Sequence, residues 1–146
     1  MNTVLITGAS RGIGAAIAEV FARHGYQLIL NCYHSETALK ALSDELSDKY
    51  HVTVLPVIGD VSDPDFVANM FAIIHQQSLS VDVLINNAGV SMVHKYMEAQ
   101  TGVEMTCQTN YIGVIQLTEL LIPHLLSIID WLKSFLANQV HLAASS

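Results

Sequence analysis

Thr3-Val4-Leu5-Ile6-Thr7-Gly8-Ala9-Ser10-Arg11-Gly12-Ile13-Gly14 is the stretch on which the reading of this chain turns. The apolar run over residues 3–7 stops at a glycine, the pattern of a short buried strand. Ile13, Ala16, Ile17, Val20 and Phe21 then recur at helical spacing, and Gly25 supplies a stop signal. Gly8, Gly12 and Gly14 thus lie between a strand and a helix, where glycine lets the backbone turn tightly and approach a ligand with no Cβ in the way. The unpaired N–H groups and positive dipole at a helix start make a natural seat for a pyrophosphate. Ser10 and Arg11 add a hydroxyl and a guanidinium able to contact phosphate. A lone glycine motif is often just a tight turn, but three spaced glycines between strand and helix favour the ligand-binding reading.

The same alternation continues downstream. Residues 27–31 form a second short apolar run, and Ser35 is placed to cap a helix whose inner face is Leu39, Leu42 and Leu46. Residues 52–57 are rich in β-branched side chains and read as a third strand. Asp63 followed by Pro64 puts a cap and a first-turn proline side by side, ahead of an apolar face of Phe66, Val67, Met70, Phe71 and Ile74. Residues 83–85 form a fourth strand that ends in Asn86-Asn87-Ala88-Gly89, and a long helix follows from near Glu104 to the region of Pro123. The order β-α-β-α-β-α-β-α predicts a doubly wound α/β fold, a parallel sheet with helices on both faces. Ligands of such sheets bind beyond the carboxyl ends of the strands, where both glycine-bearing segments fall.

Composition narrows the classes further. A length of 146 residues suits one compact domain, and 51% hydrophobic against 13% charged residues excludes a disordered tail. The mean hydropathy of +0.42 is high, as expected of a parallel sheet buried on both faces or of a chain missing surface that would normally cover it, and it makes a homo-oligomer an expected partner state. A net charge of −7, with six scattered basic residues, argues against nucleic acid and against an anionic membrane surface. Cys32 and Cys107 have neither metal nor redox spacing and suit a reducing cytoplasm, and the first residues run into a strand rather than forming a signal peptide. The most apolar stretch, residues 112–136, is interrupted by Gln116, Glu119, Pro123, His124, Asp130 and Lys133, which argues against a membrane span. The seven histidines show no metal-binding spacing.

Four motifs in order resemble those of the short-chain dehydrogenase/reductases. Thr7-Gly8-x-x-x-Gly12-x-Gly14 is similar to the family's cofactor motif, and Asn86-Asn87-Ala88-Gly89 to its second signature. Asp60-Val61 resembles the pair that meets the adenine ring, and Asn110 matches the helix asparagine of the catalytic tetrad. The resemblance covers about residues 1–126, with residues 127–146 atypical, and it implies a Rossmann-type domain that is incomplete at its C-terminus. It further implies a nicotinamide dinucleotide held by Gly8, Ser10, Arg11, Gly12, Ile13, Gly14, Asp60, Val61, Asn86, Asn87, Ala88 and Gly89. NADP(H) is favoured over NAD(H). No carboxylate follows the second strand until Glu36, whereas NAD readers place an acid about 20 residues past the glycines, and Arg11 matches a family feature associated with the 2′-phosphate.

The family's reaction is hydride transfer between nicotinamide and a carbonyl or alcohol, with a Tyr-x-x-x-Lys pair supplying the proton and gripping the ribose. Four residues after Tyr26, Tyr33, Tyr50, Tyr96 and Tyr111 stand Leu30, Thr37, Val54, Gln100 and Ile115, so that pair is absent. Residues 140–146 resemble the strand that ends in the catalytic serine, which makes Ser146 (or Ser145) the candidate. Between them and the matched region, residues 128–139 read as an extra amphipathic helix, its apolar face including Ile128, Trp131, Leu132 and Phe135. Without the lysine, a tyrosine of pKa about 10 is an inefficient acid at neutral pH. The expectation is an oxidoreductase domain, truncated or altered, with little or no activity alone. Two alternatives are a non-catalytic NADP(H)-binding protein and a serine hydrolase, since Gly8-Ala9-Ser10-Arg11-Gly12 also fits G-x-S-x-G.

Overall fold

Thr3–Ile6 forms the central strand β1, and all four of its residues are buried. On one side it pairs in parallel with β2 (Gln27–Cys32), on the other with β4 (Val83–Ile85), and β3 (Val54–Ile58) lies beyond β2. The order β3-β2-β1-β4 places a topological switch beside β1, because the chain steps outward through β2 and β3 and then returns to the far side of β1. This computed structural model describes residues 2–90, 96–99 and 101–123. The expected helix over residues 128–139, the expected strand over residues 140–146 and Ser146 lie outside them.

The twofold alternation of side chains divides the core into two layers. Val4, Ile6, Leu28 and Leu30 point to α1 (Gly12–Arg23) and α2 (Glu36–Tyr50), where they meet Ala18, Ala22, Leu39 and Leu46. Leu5, Ile29 and Val57 point the other way, onto Val67, Met70 and Ile74 of α3 (Pro64–Gln76) and Leu117 and Leu121 of the last described helix. Burial of each of these large aliphatic side chains stabilises by about 1.5–3 kcal/mol. The doubly wound α/β fold is therefore present.

Local details depart from the sequence expectation in informative ways. The row that α1 buries is Gly14, Ala18 and Ala22, at a spacing of four, while Ile13 is 75% and Val20 47% exposed. Small residues on that row let the helix axis sit close over the sheet. Ser35 stands at the start of α2 but makes no capping hydrogen bond; Glu36 in the first turn faces the helix dipole instead. Asp63 does cap α3, accepting from the Asp65 N–H at 2.9 Å, with Pro64 in the first turn. The expected long helix after Glu104 is broken. It begins as α4 (Met105–Cys107), passes through a π turn at Gln108–Ile112 and continues as α5 over residues 113–123. Among the described residues no helix is long and apolar enough to cross a membrane.

Candidate functional site

At the carboxyl ends of β1 and β4 two loops are tied together by neutral polar groups. The Thr7 hydroxyl oxygen accepts from the N–H groups of Asn87 (3.0 Å) and Ala88 (2.9 Å). The Asn87 amide returns the connection, Nδ2 donating to the carbonyls of Thr7 (2.9 Å) and Gly8 (3.1 Å). Contact is so close that a Cβ on Gly8, itself at φ +64°, would lie 2.9 Å from the Ala88 Cα. A Cβ on Gly14 would stand 2.5 Å from the Gly8 carbonyl oxygen and 2.6 Å from Asn87 Nδ2. Glycine at these two positions is thus a packing requirement as well as a conformational one.

The α1 start that follows has no side-chain cap, in contrast to α3 with Asp63. Its first-turn N–H groups and dipole therefore face the adjoining space without a resident acceptor side chain, an arrangement that suits an anion. Arg11 lies at the N-cap, and among the described residues the only ion pairs are Lys40–Glu36 and Lys49–Glu19, both elsewhere. At the end of β2, the buried Asn31 donates from Nδ2 to the carbonyls of Val57 (3.1 Å) and Gly59 (3.0 Å), while its own carbonyl accepts from Ala9 N–H (2.8 Å). Tyr33 and His34 stack with ring centroids 3.5 Å apart just beyond. Burial pushes the neighbouring Cys32 thiol up.

These loops enclose a cavity of about 560 Å³, a volume suited to a cofactor-sized ligand. Gly8, Ser10, Arg11, Ile13, Gly14, Asp60, Val61, Asn87, Ala88 and Gly89 all line it, so most of the expected site converges on one space. Tyr33, His34 and Ser35 line it at the β2 end, and Glu98, Thr101 and Thr109 line it as well. Gly12, Asn86 and Asn110 are not on its wall. Asn86 donates to the Thr118 hydroxyl at 3.3 Å, linking its loop to α5. Asn110 grips the Val90 backbone at both ends, its Oδ1 accepting from the N–H and its Nδ2 donating to the carbonyl, each at 2.8 Å. That grip comes from the π turn, a helix irregularity frequent at functional sites. Thr7 stands in the glycine motif, but the buried polar residues Asn31 and Gln108 were not marked by spacing. For Asn31 the only available signal was a polar residue at the end of an apolar run.

The residues present fit a dinucleotide: an uncapped helix start for the pyrophosphate, glycines where a Cβ would collide, and Asp60 at the far end. Asp60 uses Oδ1 to accept from the Ser62 N–H at 2.8 Å. None of the tyrosines is followed four residues on by a lysine. Tyr111 is 65% exposed and off the cavity wall, and partial desolvation and Glu98 hold the Tyr96 phenol above its ordinary value.

Over residues 2–130 the chain matches the family model for short chain dehydrogenases. It belongs to that family. The serine hydrolase reading finds no support in the family match over residues 2–130. The chain is 35% identical over 127 residues to the oxidoreductase UcpA of Escherichia coli K12, covering 86% of this chain and 47% of UcpA. The short-chain dehydrogenase of Sphingobium yanoikuyae, solved in complex with NADPH, superposes with a TM-score of 0.72 at 33% identity, over 84% of this chain and 48% of that one. L-Sorbose reductase of Gluconobacter frateurii, complexed with NADPH and L-sorbose, gives 0.72 at 30% identity, over 85% and 47%. This short-chain dehydrogenase chain thus spans about half the length of the relatives it matches.

Proposed function

We propose that residues 1–146 form a single dinucleotide-binding domain that takes NADP(H) in preference to NAD(H). The observation that carries this reading is the convergence of the glycine turn, Asp60-Val61 and Asn87-Ala88-Gly89 on one cavity at the carboxyl ends of the strands. The pyrophosphate would sit on the uncapped start of α1, with Ser10 beside it. The preference for a 2′-phosphate is supported by Arg11 and by a β2 end made of Tyr33, His34 and Ser35. The first acid after β2, Glu36, is already paired with Lys40 at 2.6 Å. Phosphate is best matched by such hydrogen-bond donors and a guanidinium, whereas a ribose hydroxyl calls for a carboxylate. Two of the similar structures were solved in complex with NADPH, which supports this reading.

Bound nicotinamide supplies or accepts a hydride, and the substrate class is a small carbonyl or alcohol compound. The residues here hold the cofactor, and Asn110 fixes the Val90 backbone beside the Asn-Asn-Ala-Gly loop. The sequence holds no Tyr-x-x-x-Lys pair, so turnover by these 146 residues alone is expected to be slow or nil, and binding without turnover is their expected behaviour. Titration with NADPH and NADH, followed by nicotinamide fluorescence, tests the reading. Tighter binding of NADPH, with the difference largely erased by Arg11→Ala, is the expected result. Equal affinity for both would refute the preference, and no binding of either would refute the function.

A further inference from the structure

Gln108 is 1% exposed, yet both ends of its side-chain amide are satisfied, each by a residue that lines the cavity. Nε2 donates to the Ser62 carbonyl at 2.7 Å, and Oε1 accepts from the Thr101 hydroxyl at 2.9 Å. Ser62 belongs to the turn after β3 that carries Asp60 and Val61. Thr101 belongs to a tight loop closed by Ala99 N–H to Val103 carbonyl (2.8 Å) and Met105 N–H to Met97 carbonyl (2.7 Å). Both walls border the cavity, and one buried amide sets the distance between them. A second contact seats the same helix against the Val61–Ser62 turn. Beyond the π turn, Gly113 approaches so closely that a Cβ there would stand 2.9 Å from the Val61 carbonyl oxygen and 3.4 Å from the Ser62 Cα.

We propose that Gln108 is a positioning residue for the adenosine end of the dinucleotide. It holds the Asp60–Val61–Ser62 turn and the Thr101 loop at the separation that admits a purine ring between them. The proposal rests on the dinucleotide reading above, which places adenine at Asp60-Val61. Two residues on, Asn110 holds Val90 at the other end of the cavity, so one helical turn supports both ends through different side chains. An amide is suited to this task because it donates on one side and accepts on the other. Either wall could shift only by leaving a buried polar atom unpaired.

The test uses the full chain and two readouts. Calorimetry with adenosine 2′,5′-bisphosphate reports the adenosine end, and the emission of bound NADPH at saturation reports the surroundings of the nicotinamide. Gln108→Leu is expected to weaken the bisphosphate and NADPH each by about tenfold, and Thr101→Val by a smaller factor in the same direction, with bound NADPH emission unchanged in both. Thr101 is exposed and its substitution leaves the core intact, so this variant decides the matter if Gln108→Leu fails to fold. Unchanged bisphosphate affinity in a folded variant overturns the proposal. So does a change in nicotinamide emission alongside the affinity loss, which would indicate general loosening. If the unmodified chain binds neither probe, the dinucleotide reading falls and the proposal falls with it.

Discussion

Gly14→Ala should destabilise this protein although it replaces glycine inside a helix. Alanine in a helix interior is ordinarily better than glycine by about 1 kcal/mol. Here the new Cβ would lie 2.5 Å from the Gly8 carbonyl oxygen, 2.6 Å from Asn87 Nδ2 and 3.0 Å from the Ala9 Cα. None of these neighbours is the free end of a flexible side chain. Gly8 and Ala9 are backbone, and Asn87 is held by bonds of 2.9 and 3.1 Å to Thr7 and Gly8. Overpacking of this kind costs about 1–3 kcal/mol, and each hydrogen bond stretched or broken adds about 1 kcal/mol. After the propensity gain is subtracted, the net loss is about 2 kcal/mol, which lowers Tm by about 4–8 °C in a chain of this size. Thermal unfolding of Gly14→Ala, Asn87→Ala and the double variant measures it. Because the two sites share atoms, their effects should be non-additive by at least about 0.5 kcal/mol. A Tm equal to or above that of the parent, or strict additivity, would refute the argument.

Three other outcomes are expected. Thr7→Val removes the acceptor shared by the Asn87 and Ala88 N–H groups and should cost about 1–3 kcal/mol in urea unfolding, with weaker NADPH binding; unchanged stability would count against the tie between the two loops. Asn31→Ala leaves the Val57 and Gly59 carbonyls without their donor, and a similar loss should appear in the same assay. Glu104 caps the helix that carries Gln108, and its hydrogen bonds from the Thr106 and Cys107 N–H groups hold its carboxyl below the ordinary 4.5. A lowered folded-state pKa means that this contribution is present above the unfolded value and fades as pH falls through the folded one. Tm measured from pH 7 down to pH 3 should therefore drop less steeply in Glu104→Gln than in the parent; identical acid limbs would exclude the capping role.

Much of the fold was legible because it rests on local rules. Asp63-Pro64 specified a helix start through chemistry confined to two residues, and the apolar runs at β1, β2 and β4 had flanks that stop a strand. The face of α1 was not legible in the same way. Apolar spacing drew attention to Ile13 and Val20, whereas closeness to the sheet selects size, and the row Gly14, Ala18 and Ala22 carries little hydropathy. The π turn was hidden for a related reason. Gln108-Thr109-Asn110-Tyr111-Ile112 holds no glycine or proline to mark a break, and the irregularity coincides with long-range bonds from Gln108 to Ser62 and from Asn110 to Val90. Gln108 itself could not be picked out, since its partners are 46 and 7 residues away and only folding brings them together.

The groups that join the loops at this end of the sheet are hydroxyls and amides: Thr7, Asn31, Asn87, Gln108 and Asn110. Strands diverge past the switch point, so their last backbone N–H and carbonyl groups lose ladder partners and need others, on pain of about 1–3 kcal/mol for each one buried unpaired. Charged side chains could supply those bonds, but each would carry a desolvation penalty of several kcal/mol and place a fixed field beside the phosphate seat. Neutral groups meet the same need and add no further charge to the Arg11, Asp60, Asp63 and Glu98 already on the cavity wall. An amide has a further advantage, for it can donate to one loop and accept from another, as Gln108 does. On the proposed dinucleotide reading a division of labour follows: the neutral side chains set the shape of the cavity, and the helix start with Arg11 would receive the anion.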